Sequence, residues 1–123
     1  MYKYYFEKLD VWTLAKDFAK EIYVQTESFP STEKYGITNQ IRRAVVSVPT
    51  NLAEGSARST SKDQANFSTI AYSSLMETLN LLIISYELDY LKAEEYTALR
   101  LKINEIANKI NALRNSQLGK SKK

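Results

Sequence analysis

The chain contains no cysteine and no histidine. The first absence excludes disulfides, thiol catalysis, and zinc or iron–sulfur sites built on sulfur. The second removes the commonest general base near neutral pH and the commonest metal ligand. The three glycines, Gly36, Gly55 and Gly119, are too scattered for a glycine-rich phosphate loop. The longest unbroken apolar run of the later hydrophobic region is Leu81 to Ile84, against the roughly 20 residues a membrane span needs. Met1 to Glu7 lacks the apolar core of a signal peptide. Glu33, Glu54, Glu94 and Glu95 are the candidate catalytic carboxylates, but di-metal helical bundles use Glu-x-x-His pairs and histidine is absent. The expectation is a cytoplasmic protein that is not an enzyme, with no cofactor, metal, membrane or small-molecule substrate.

What remains is 123 residues, 44% hydrophobic and 25% charged, one globular domain's worth. The net charge of +3 is unevenly spread. Residues 114–123 hold Arg114, Lys120, Lys122 and Lys123 and no acid, and read as a basic, disordered tail behind a domain of residues 1–113. Within that domain, residues 31–61 are the positive region, with Lys34, Arg42, Arg43 and Arg58 against Glu33 and Glu54.

Four segments repeat apolar residues at helical spacing, and none shows sustained strand alternation. The first spans about Leu9 to Glu27, with Val11, Ala15, Phe18 and Ile22 in line, and stops before Pro30. The second spans about Ile37 to Glu54. Pro49 inside it implies a kink near Val45 to Pro49, or two short helices with Pro49 opening the second. Gly55 suits a left-handed cap. Ser61 and Gln64 have the form of a capping box for a third helix reaching Leu88. The fourth runs from about Ala93 to Leu113, with Lys92 a poor cap before it. Short connections favour antiparallel neighbours, so the fold class is all-α, an up-down-up-down antiparallel four-helix bundle.

From Ala65 to Tyr86 the only charged side chain is Glu77. Phe67, Ala71, Leu75, Leu79, Leu82 and Tyr86 make one stripe, while Ile70, Leu81 and Ile84 fall elsewhere. On the second helix Val46, Pro49 and Ala53 sit opposite the main stripe. Every helix of a four-helix bundle has an outside. These six residues are therefore expected to bury against other subunits. A buried carboxylate needs a partner, and Arg42 or Arg43, on the antiparallel neighbour, is the expected one for Glu77.

The residues Phe6-Glu7-Lys8-Leu9-Asp10-Val11-Trp12, then Glu33 to Ala44, then Ser47-Val48-Pro49-Thr50-Asn51-Leu52-Ala53-Glu54-Gly55 and Arg58 form a pattern. It resembles that of the 23S rRNA intervening-sequence protein family, also called the four-helix bundle protein family. Ser74-Leu75-Met76-Glu77 and Leu88-Asp89-Tyr90-Leu91 fit the same pattern. The resemblance implies a four-helix bundle assembling as a homopentamer. Members are named for reading frames inside insertions of bacterial 23S rRNA genes. A related protein accompanies the reverse transcriptase of diversity-generating retroelements, a context of nucleic-acid binding.

The expected function is a non-catalytic homo-oligomer that binds RNA or DNA backbone with little sequence preference. The candidate contacts are Lys34, Arg42, Arg43, Arg58, Lys62, Arg114, Lys120, Lys122 and Lys123. Tyr2, Tyr4 and Tyr5 beside Lys3 are expected to cover the end of the bundle, the alternative being stacking on bases. The alternative function is a protein–protein adaptor or scaffold oligomer without nucleic acid.

Overall fold

A computed structural model describes residues 1–121, with side chains to residue 119. Lys122, Lys123 and the Lys120 side chain lie outside the described residues. Four helices follow one another: α1 (Asp10–Thr26), α2 (Ile37–Ser56), α3 (Ser61–Glu87) and α4 (Ala93–Ser121). Short 3-10 turns at Tyr5–Lys8 and Ser31–Glu33 precede α1 and α2. No strand occurs among the described residues.

The apolar stripes meet at the centre, where Phe18, Ile22, Ile41, Leu75, Leu82, Ile106 and Ile110 are fully buried. Cross-helix contacts fix the directions. Gly55 lies against Phe67, Ser47 Oγ is 2.9 Å from Ser74 Oγ, and the Tyr90 hydroxyl donates to Glu33 Oε2 at 2.8 Å. Numbers rise on one side as they fall on the other, so α2 and α3 run antiparallel. The stacked Tyr86 and Tyr96 rings and the Ser68–Gln117 bond give the same relation for α3 and α4. Two ion pairs, Glu21–Lys102 at 2.9 Å and Asp10–Lys109 at 2.7 Å, give it for α1 and α4.

The long helix α3 is apolar and long enough, by length and composition, to cross a membrane. Here it packs between α2 and α4. Its buried hydroxyls all have partners: Thr78 donates to the Ser74 carbonyl and Ser85 to the Leu81 carbonyl, while Ser68 and Ser74 bond to Gln117 and Ser47 on the neighbouring helices. That pairing is why an almost uncharged helix can be lined with hydroxyls and still bury them.

Four boundaries bear comparison with expectation; the first keeps one of two alternatives and the other three differ. First, α2 is one helix through Pro49, not two. Proline removes one backbone bond at a cost of about 3 kcal/mol, but buried Val45, Val48 and Leu52 on both sides of it keep the helix packed. Second, Gly55 is not a left-handed cap. It is buried inside α2, where a Cβ would stand 2.6 Å from Phe67 Cβ, so glycine lets α2 and α3 approach. Third, Thr60, not Ser61, caps α3, accepting from the Asp63 amide at 3.1 Å. Gln64 instead donates to the Arg58 carbonyl at 3.0 Å. Fourth, α4 continues past Leu113 to Ser121. Gln117 is buried and accepts from the Ser68 hydroxyl at 2.7 Å, which carries the helix beyond the expected end. At its start, Glu95 Oε1 accepts from the Lys92 amide at 3.2 Å, supplying the cap that the Lys92 side chain lacks.

Candidate nucleic-acid interface

The antiparallel packing sorts charge along the bundle. One end collects residues 27–36 and 87–95. It holds Glu27, Glu33, Glu87, Asp89, Glu94 and Glu95 against only Lys34 and Lys92. The other end collects the first ten residues, the α2–α3 turn and the end of α4. There Lys3, Lys8, Arg58, Lys62 and Arg114 outnumber Glu7, Asp10, Glu54 and Asp63. The length of α2 separates the two ends by roughly 30 Å.

The expected contacts therefore do not form one patch. Lys34 is exposed at the acidic end, 5.5 Å from the centre of the Tyr35 ring. Arg42 is turned inward against α1. Its Nε donates to Thr26 Oγ1 at 2.9 Å and an Nη to the Tyr23 carbonyl at 3.2 Å, with the guanidinium over the Tyr23 ring. It thus adds a cationic donor at the last turn of α1, where the Thr26 hydroxyl also donates to the Tyr23 carbonyl. Arg43 is exposed on the outer face of α2.

Arg58 and Lys62 are exposed at the basic end, and the Arg58 guanidinium lies 4.7 Å from the Phe67 ring centre. Arg114 is half-buried there, and its Nε has no hydrogen-bond partner. Between these elements lies a cleft of about 220 Å³ bordered by Tyr5, Ser56, Gln64, Ser116 and Gln117.

The expected buried pair of Glu77 with Arg42 or Arg43 does not form. Glu77 is exposed, and no ion pair joins it to either arginine among the described residues. Its one-charge helix face points outward, and Arg42 is engaged by α1. The residues expected to face other subunits differ in exposure. Val46, Ile70 and Ile84 are 41%, 39% and 41% exposed, and Pro49 and Ala53 are half-buried. Leu81 is corrected: at 6% exposure it belongs to the chain's own core.

The N-terminal tyrosines also depart from expectation. Tyr2, Tyr4 and Tyr5 are 78%, 63% and 61% exposed and do not cover the bundle end. Half-buried Phe6 instead meets Trp12, which packs against the core, edge to face at 5.0 Å. The acidic end was not read from the sequence, because its carboxylates come from two distant segments. At that end Glu33 both receives the Tyr90 hydroxyl and accepts from the Ile37 amide, closing the start of α2. The bond to Glu33, then burial, push the Tyr90 phenol above its usual range. The ion pairs to Glu21 and Asp10 do the same for Lys102 and Lys109.

Among the described residues no cluster of acidic side chains is arranged to hold a metal. The family model of the 23S rRNA-intervening sequence proteins matches residues 7–112. No curated protein matches the chain. The fold is similar to a crystal structure from Bacteroides thetaiotaomicron, described as a protein of unknown function from the S23 ribosomal protein family. The two are 21% identical with a TM-score of 0.76, over 85% of this chain and 97% of that one.

Proposed function

This chain belongs to the 23S rRNA-intervening sequence protein family, and on that premise we propose that it is a non-catalytic, homo-oligomeric nucleic-acid-binding protein of the cytoplasm. The observation that carries the reading is the segregation of charge, with Arg58, Lys62 and Arg114 gathered at one end of the bundle. Binding of this kind follows phosphate charge and has little sequence preference. The apolar outer strip of Val46, Ile70 and Ile84 supports self-association. Copies joined along that strip repeat the basic end and multiply weak contacts. Five copies is the number the family resemblance implies.

The test is a salt titration of the full chain on RNA and DNA duplexes, beside light scattering. The reading expects a particle several times 14.1 kDa and affinity that falls steeply with salt. A duplex contact releases about 0.9 counterion per phosphate, so the slope counts contacts. A particle that assembles but shifts neither nucleic acid at low salt supports the adaptor reading instead. The same exposed strip would then serve protein partners.

A further inference from the structure

We infer that the basic end takes single-stranded nucleic acid, with Tyr2, Tyr4 and Tyr5 as the platform on which its bases stack. This deepens the nucleic-acid reading above and rests on it. An exposed aromatic ring is ordinarily costly to leave in water, and three lie within four residues. They stand on a fixed support. The Tyr4 amide donates to Glu7 Oε2 at 2.9 Å, and the Glu7 amide donates back to the Tyr4 carbonyl at 3.1 Å. Phe6 anchors the same turn against Trp12. The rings of Tyr2 and Tyr4 meet edge to face at 5.1 Å, at 85°, so their flat faces are not stacked on each other.

The surroundings select the occupant. Lys3 and Lys8 flank the rings in the sequence, and Tyr5 borders the cleft with Leu9, Leu52 and Leu113 as well as Ser56 and Ser116. Cations for phosphates and ring faces for bases are the groups that hold a single strand. A duplex offers the phosphates but keeps its base faces stacked inside, so it meets only the cations.

The test measures the full chain against a 20-nucleotide oligoadenylate strand, as RNA and as DNA, and against a 20-base-pair duplex at one salt concentration. The single strands are expected to bind about tenfold tighter or more, the scale of one or two stacked bases. Replacing Tyr2, Tyr4 and Tyr5 together by Leu should abolish that preference, leave duplex affinity and its salt slope unchanged, and preserve helical content. Replacement by Phe should keep the preference. Equal affinity for strand and duplex, or a Leu variant that retains the preference, overturns the inference while leaving the basic end a backbone site. Failure of wild type to bind strand or duplex overturns both readings.

Discussion

Gly55 shows how a single position is read correctly as special and wrongly as to why. A glycine near a helix end suggests a left-handed cap. The structure uses it for contact, with Phe67 pressed where a Cβ would be. Gly55→Ala gains about 1 kcal/mol of helix propensity but overpacks the α2–α3 contact by about 1–3 kcal/mol. The expected outcome is a lowered midpoint in urea unfolding. Arg42 and Glu77 were misread together, because equal height on two helices says nothing about facing direction. Arg42 spends its donors on α1. Raised ionisation of Tyr90, Lys102 and Lys109 makes an alkaline prediction. Each folded-state value lies above the unfolded one. Their contribution is therefore complete below about pH 10 and lost as pH rises through the folded values. Stability followed from pH 8 to pH 11.5 should fall at the top of that range, and Tyr90→Phe should flatten part of the fall.

At the scale of elements, spacing located all four helices, because apolar stripes at steps of three and four have one interpretation. Their ends were harder: Glu95 and Glu33 cap α4 and α2 from three and four residues away rather than from the position just before the helix, and Arg42 caps α1 from the neighbouring helix. The turn from α3 to α4 is a further case. Asp89 takes a φ of 64°, while the Tyr90 amide donates to the Ser85 carbonyl and the Asp89 amide to that of Tyr86. This is the double bond pattern that usually places glycine at the left-handed position. Asp89→Gly should accordingly stabilise the fold by about 0.5–1 kcal/mol, relieving the Cβ penalty. Thermal unfolding checks it, and a lower midpoint would mean that the carboxylate has a role beyond the turn.

The whole molecule carries what the linear sequence hides. Residues 31–61 read as one basic region, yet α2 lies inside that region and carries Lys34 and Arg58 to opposite ends. The composition was legible, but the polarity of the bundle needed the helices in place. Nucleic acid is expected to meet the end holding Arg58 and Lys62. Two charge reversals of equal size separate the ends: Arg58→Glu with Lys62→Glu, and Lys34→Glu with Lys92→Glu. All four side chains are exposed, so neither pair should unfold the chain. The most direct measurement is the salt slope and affinity of each variant on one nucleic acid. The account predicts that the Arg58/Lys62 pair abolishes binding or flattens the slope, while the Lys34/Lys92 pair leaves both near wild type. Equal losses from both pairs, or a larger loss from the Lys34/Lys92 pair, would contradict it.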